Sequence, residues 1–368
     1  MENSLRKENV LFFTRAMGIG GTENVILQMC DVLGPKVNKI IVCSCGGESV
    51  EKLEKRKIKH YFIPDIAQKK ISVAWNVLKT LNSIVENENI SVIHVHDRMA
   101  AFYVSICNIK NVKYFATFHL NFKNKKSATK FAYKKAKVIA CGKNVEKTLV
   151  EYYGLQRSQI SIIRNTIAPS IREKGFDKTI KAMKENGNFV VGYIGRLSSG
   201  KGQDNFIDSF LVAKQKIPNL KYAIVGDGEQ KEMLQKEVDD YKIKDDVLFM
   251  GYRDDASELM EQFDAVVLTS ESEGFPLVPI EAFSKKKIFI GSDVEGINEI
   301  VTHNVTGLLV PAKNPRALAD AICTVLSDKN FREKIEESAY NEYRKNYSFE
   351  KFSDQIISFY EKYTGGNG

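Results

Sequence analysis

The sequence predicts an α/β protein of two domains, each a parallel β-sheet covered by helices. Three observations predict it. Short β-rich runs alternate with longer amphipathic segments along the whole chain. The series breaks once, at a polar, charged stretch from Ala168 to Asn188. With 368 residues and 43% hydrophobic composition, the chain can bury two ordinary cores.

The first strand series is read at Val10–Thr14, Lys39–Ser44, His60–Ile63, Ser91–His96, Lys113–Thr117, Lys137–Ala140 and Ser161–Ile163. The second is read at Phe189–Ile194, Lys221–Val225, Val247–Met250, Ala265–Thr269, Lys287–Gly291 and Gly307–Val310. Apolar residues at helical spacing fill the gaps, for example over Thr22–Leu33, Ala74–Asn87, Gly202–Lys216, Gln230–Tyr241, Ala256–Gln262 and Pro315–Leu326. Ser348 precedes a last amphipathic segment, Phe349–Tyr363, with the look of a capped helix. The expected division is residues 1–168, a linker over 169–187, a second domain over 188–346, and a terminal helix over 347–368 that crosses back to the first domain.

The run Val10-Leu11-Phe12-Phe13 is too short for a signal segment or a membrane span, so a cytoplasmic protein is expected. Six scattered cysteines show neither CxxC pairs nor zinc spacing and read as reduced thiols. The net charge of +8 is unevenly distributed. Residues 1–168 carry 27 Lys and Arg against 13 Asp and Glu, and the remainder carries 27 against 33. A basic half beside an acidic one suggests an anionic partner for the first.

Three constellations carry chemistry. Gly18-Ile19-Gly20-Gly21-Thr22-Glu23 follows the first strand, where glycines and a helix N-terminus suit an anion. A plain strand-to-helix turn also uses glycine, and Glu23 stands where a dinucleotide fingerprint needs its third. Gly195-Arg196-Leu197-Ser198-Ser199-Gly200-Lys201-Gly202 resembles a P-loop, but Gly202 replaces the hydroxyl that holds Mg²⁺. Arg196 and Lys201 on one loop can converge on a diphosphate, or can be two solvated cations. In the third, Glu273 and Glu281 flank Gly274-Phe275-Pro276. Glu273 is expected on a loop and Glu281 about two turns into a helix, both at the carboxyl ends of the strands, where open α/β sheets bind ligands. Carboxylates there suit sugar hydroxyls.

Together, Gly20-Gly21, Arg196 with Lys201, and the spacing of Glu273 and Glu281 resemble retaining GT-B glycosyltransferases of family 4. The Val225-Gly226-Asp227-Gly228 turn, Phe249-Met250-Gly251-Tyr252, Asn165-Thr166-Ile167, Glu295 to Ile300, Thr306 to Val310, and Tyr347 to Glu350 resemble the family too. The resemblance covers nearly the whole chain and is more specific in the second half. It implies two Rossmann-like domains facing across a cleft, the first on the acceptor side and the second holding a nucleotide-sugar donor.

Residue by residue, it implies that Arg196 and Lys201 hold the diphosphate and that Glu281 takes the ribose hydroxyls. Glu273 would bind the transferred sugar, near the backbone N–H groups of Gly274, Phe275 and Leu277. Gly251, Tyr252 and Arg253 would pack on the base, and Gly20 and Gly21 would close on the phosphates. His119 matches a family histidine beside the donor sugar, where it positions rather than attacks. No metal or other cofactor is expected, because the sequence lacks the DxD of metal-dependent transferases. Asp245-Asp246 and Asp254-Asp255 read as solvated caps. His94 and His96 share one strand face, but two imidazoles make a weak metal site.

Lys123, Lys125, Lys126, Lys130, Lys134, Lys135, Lys137 and Lys143 form a basic stretch without acids, interleaved with Phe122, Phe131 and Tyr133. It reads either as a surface for an anionic leaflet, peripheral on the inner face of the plasma membrane, or as a solvated helix face. No nucleic-acid motif accompanies it. The expected activity is retaining, metal-independent, hexosyl-type transfer, from a UDP-sugar first among donors, to a glycan or lipid-linked acceptor of a bacterial surface polysaccharide or capsule. A sugar-nucleotide epimerase, a sugar phosphorylase, and a non-catalytic nucleotide-sugar- or phospholipid-binding protein are the competing readings. A P-loop NTPase is disfavoured by Gly202.

Overall fold

The computed structural model describes residues 4–107, 109–119, 123–167 and 176–365. It divides into two units, residues 1–166 with 349–368, and residues 167–348.

The first unit alternates β1 (Asn9–Phe13), α1 (Gly21–Leu33), β2 (Lys39–Ser44), α2 (Val50–Lys55), β3 (Lys59–Phe62), α3 (Ile71–Asn87), β4 (Val92–Val95), α4 (Arg98–Cys107), β5 (Lys113–Phe118), α5 (Lys126–Tyr133), β6 (Lys137–Ala140), α6 (Lys143–Lys147) and β7 (Ile160–Ile162). Its seven strands are parallel, in the order β3-β2-β1-β4-β5-β6-β7. Every residue of β1 and β4 is buried. Central strands of a parallel sheet are covered on both faces, which is why Val10-Leu11-Phe12-Phe13 runs apolar without alternation.

The first helix of the second unit, among the described residues, is α7 (Lys178–Glu185), whose N-terminus Asp177 caps by accepting from Thr179 N and Ile180 N. Then come β8 (Phe189–Ile194), α8 (Gln203–Lys216), β9 (Leu220–Val225), α9 (Lys231–Asp240), β10 (Val247–Gly251), α10 (Ala256–Leu259), β11 (Ala265–Leu268), α11 (Val278–Ser284), β12 (Phe289–Ser292), β13 (Leu308–Val310), α12 (Pro315–Ser327) and α13 (Lys329–Asn346). Its six parallel strands run β10-β9-β8-β11-β12-β13.

The last helix, α14 (Phe349–Thr364), belongs to the first unit. Phe352, Ile356, Phe359 and Tyr360 recur at helical spacing and are buried in that unit's core with Phe12, Val42 and Phe115. Both units are thus parallel α/β sheets of Rossmann type, and each changes winding direction once, at β1/β4 and at β8/β11. Ligands of such sheets bind at the carboxyl ends of the strands at that switch.

Several local expectations are corrected. The segment Ala256–Gln262 is not one helix: α10 is a single turn followed by a 3₁₀ turn at Met260–Gln262. The basic stretch is not one helix face either, since Lys137 stands on β6 with its ammonium 4.9 Å from the Tyr363 ring centroid. Phe122 lies outside the described residues. Asp246 and Asp255 are not solvated caps. Asp246 pairs with Lys214 and Lys221, and Asp255 pairs with Arg253 at 2.7 Å. All six cysteines are free thiols.

Candidate active site

In the second unit, the loops leaving β8 and β11 are knitted to each other at the switch point. Glu271 N donates to Gly200 O at 2.9 Å, and Thr269 Oγ1 donates to Gly202 O at 2.6 Å. Gly202 adopts φ +68°, and a Cβ there would lie 2.2 Å from Thr269 O, so backbone approach demands glycine. Gly226, at φ +147°, similarly faces Gly195 O at 1.9 Å from a would-be Cβ. This stacks the Val225-Gly226-Asp227-Gly228 turn on the Gly195–Leu197 strand exit.

That packing brings together residues 72 positions apart: Lys201 Nζ lies 2.6 Å from Glu273 Oε1. Their side chains are 31% and 13% exposed, so the pair is shielded but reachable. Ser270 Oγ donates to the same Oε1 at 2.6 Å. Ser270 carries no motif of its own in the sequence, and its place three residues before Glu273 in a Ser-rich turn is the one local signal for it. Arg196 is exposed on the same loop as Lys201, and its carbonyl accepts from Gln203 Nε2 at 2.8 Å. Gly274 and Phe275 are buried, and Leu277 precedes the first residue of α11.

Glu281 is one turn into α11 rather than two, because the helix begins only at Val278, after Pro276. Burial, and then the nearby Glu258 carboxylate, push its pKa up to about 7. Glu258 is a neighbour that sequence spacing did not show. Gly251 ends β10 at φ +67° and accepts from Gly226 N at 2.8 Å. Tyr252 is 49% exposed beside it. Arg253 is held by Asp255 and by Asp177 at 3.0 Å, which makes it a brace between α7 and the β10–α10 loop.

In the first unit, Gly20 is extended at the start of α1, and Glu23 folds back over it: a Cβ on Gly20 would meet Glu23 Oε2 at 2.7 Å. His119 follows β5 and is half-buried. Its Nε2 lies 3.1 Å from His96 Nδ1, and the rings stack at 5.4 Å between centroids. His94 Nδ1 meets Tyr360 Oη and its Nε2 meets Thr117 Oγ1, both at 2.8 Å. Burial pushes His94 down to about 3 and His119 to about 4, and holds His96 well below its usual value. All three rings are therefore neutral at pH 7. Asp97 accepts from Arg15 N at 2.7 Å and from Ala100 N at 2.9 Å, closing the start of α4. Among the described residues, no group of three or more His, Cys, Asp or Glu is arranged to hold a metal ion.

Residues 19–170 match the family model Glycosyltransferase Family 4, and residues 172–342 match Glycosyl transferases group 1. Each half of the chain is thus related to one glycosyltransferase family, and both units have the Rossmann-type parallel sheets of the GT-B fold.

Among its relatives is an uncharacterized glycosyltransferase of Methanocaldococcus jannaschii, 28% identical over 62% of this chain. That match spans 60% of the relative's own length. The UDP-Gal:alpha-D-GlcNAc-diphosphoundecaprenol alpha-1,3-galactosyltransferase of Escherichia coli is 26% identical over 84% of this chain and 86% of its own. Among solved structures, Anabaena HepE in complex with UDP superposes with a TM-score of 0.81 at 22% identity, covering 96% of this chain and 100% of that one.

Proposed function

We propose that the protein transfers a sugar from a nucleotide-diphosphate sugar, with UDP-sugars first, to a glycan or lipid-linked acceptor, retaining the anomeric configuration. The observation that carries this reading is the shielded Lys201–Glu273 pair at the β8/β11 switch. It puts a cation for a diphosphate and a carboxylate for sugar hydroxyls in one place.

In this reading Arg196 and Lys201 neutralise the departing diphosphate, and Glu281 takes the ribose hydroxyls. Glu273 orients the transferred sugar, with Gly274, Phe275 and Leu277 as backbone neighbours. Gly251 and Tyr252 flank the base, while Arg253 braces their loop. On the first unit, the family resemblance assigns His119, Gly20 and Gly21 to donor binding. The acceptor hydroxyl attacks the anomeric carbon from the face the diphosphate leaves and gives its proton to a phosphate oxygen. The C–O bond to the leaving group breaks as the new one forms. The chemistry assigned to these side chains calls for no metal ligand.

The E. coli relative's UDP-Gal donor and lipid diphosphate acceptor, and the UDP in HepE, support a UDP-sugar and an acceptor of surface-polysaccharide type. A lipid-linked acceptor also gives the basic segment a purpose. Lys123, Lys125, Lys126, Lys130, Lys134 and Lys135 are exposed, and so is Phe131, a composition suited to an anionic leaflet. None of the helices is long and apolar enough to cross a membrane, among the described residues.

A thermal-shift screen of UDP-, GDP- and ADP-sugars tests the donor. It should show a rise in melting temperature with one nucleotide class. Release of nucleotide diphosphate that depends on an added acceptor then separates transfer from epimerisation and from simple binding. No shift with any nucleotide sugar sinks the proposal.

A further inference from the structure

His94 on β4 and His96, the residue that follows the strand, are not absorbed by the donor site just described. Their rings lie on one side, stacked at 4.7 Å between centroids. Phe12 closes on both from β1, at 5.7 and 5.5 Å. His94 has a hydroxyl partner on each nitrogen. His96 differs: its Nδ1 meets His119 Nε2, while its Nε2 is buried with no hydrogen-bonding partner among the described residues.

A neutral imidazole carries one N–H, and where it sits decides what the other ring can do. If His119 donated from Nε2, His96 would have to accept at Nδ1 and carry its own proton on Nε2. That leaves a buried donor with nothing to receive it, which disfavours the form by on the order of tenfold to a hundredfold. With the proton on His96 Nδ1, the short contact is satisfied and only a lone pair is left bare, the cheaper defect. His119 then accepts at Nε2 and must carry its own proton on Nδ1.

We propose that His96 is a positioning residue that fixes the tautomer of His119, so that His119 presents Nδ1–H as a hydrogen-bond donor to an oxygen of the transferred sugar. The sugar contact rests on the function proposed above; the coupling between the rings does not. A donor suits this position because the sugar's hydroxyl and ring oxygens can accept, and because a neutral donor adds no charge beside a departing diphosphate. The rest of the cluster holds the geometry. Tyr360 and Thr117 lock His94, and His94 and Phe12 pack against the His96 ring.

The test is the tautomer itself. In protein labelled with ¹⁵N-histidine, long-range proton–nitrogen correlation at pH 7 should show His119 protonated on Nδ1. His96→Phe keeps a flat aromatic ring in the stack but loses the donor. It should give a tautomer mixture at His119 and lower kcat/KM for transfer by roughly tenfold to a hundredfold. His96→Asn places an amide N–H near the position of Nδ1 and should restore both readouts.

A wild-type His119 protonated on Nε2 overturns the proposal, as does an unchanged tautomer in His96→Phe. An altered tautomer with full turnover removes its part in transfer. If the coupling holds but the wild type transfers no sugar from any donor, the ring relation stands and the sugar contact falls.

Discussion

Glu281 gives a quantitative handle on donor binding. Its pKa is raised to about 7, first by burial and then by the Glu258 carboxylate. Accepting hydrogen bonds from two ribose hydroxyls requires the ionised form, since a protonated carboxyl gives up part of its acceptor capacity. With a pKa near 7, about a tenth of Glu281 is ionised at pH 6 and about nine-tenths at pH 8. The apparent Kd is the intrinsic value divided by the competent fraction, so affinity for an intact UDP-sugar should rise roughly tenfold between those pH values and then level off. An intact sugar nucleotide is the right probe because its diphosphate, substituted at both ends, has no second ionisation in this range.

The assay is calorimetric titration from pH 5.5 to 8.5, repeated in two buffers of different ionisation enthalpy, which should reveal proton release near pH 6.5. Glu258→Gln removes the like charge and should move the whole profile to lower pH without altering the plateau. The same shift predicts the sign for stability. The folded protein holds the Glu281 proton more tightly than the unfolded chain does. This contribution is therefore complete below pH 4.5 and is lost as pH rises through about 7. Donor affinity that is flat across pH 6 to 8, or that falls with rising pH, would refute the assignment of Glu281 to ribose.

Lys201→Ala and Glu273→Gln should each lower turnover by roughly 10²- to 10³-fold while circular dichroism stays native; wild-type rates in either sink the diphosphate-and-sugar assignment. Gly226→Ala forces a side chain against Gly195 O at a φ of +147°. It should cost about 2–4 kcal/mol in urea unfolding and disturb the Arg196–Lys201 loop with it; an unchanged midpoint would show that the turn yields cheaply. Lys125, Lys130 and Lys134 changed together to Gln should weaken binding to phosphatidylglycerol vesicles by about 3 kcal/mol, roughly a hundredfold, at low salt. Equal binding to neutral phosphatidylcholine vesicles would remove the membrane role of the segment.

The strands were legible because a parallel sheet covered on both faces needs short, continuous apolar runs, and β2, β6 and β8 begin and end where those runs do. What the pattern could not carry is which strands lie side by side. Lys201 and Glu273 meet because β8 and β11 are neighbours although β9 and β10 come between them in the chain. The bond between His94 and Tyr360 spans 266 positions for the same kind of reason. Ion pairs escape the pattern for a different one. Asp255 and Asp246 sit in loops where a solvated carboxylate is the usual outcome, and only the fold brings Arg253, Lys214 and Lys221 to them.

The Lys201–Glu273 pair also changes how the two residues should be understood together. Read separately, one is a phosphate contact and the other a sugar contact. Joined at 2.6 Å, each satisfies the other in the protein without a donor. Under the proposed function, an arriving diphosphate offers Lys201 a second anion, and hydroxyls of the sugar offer Glu273 new donors. Binding is then an exchange of charge-assisted partners rather than the filling of a site with bare charges, and neither group has to be left buried and unpaired at any stage. A ligand that supplies only one half, free diphosphate or free sugar, leaves the Lys201–Glu273 pair and the Ser270 contact largely as they are and gains new contacts at one end only. Such a ligand should bind more weakly than the intact nucleotide sugar, which makes charge-assisted contacts at both ends at once.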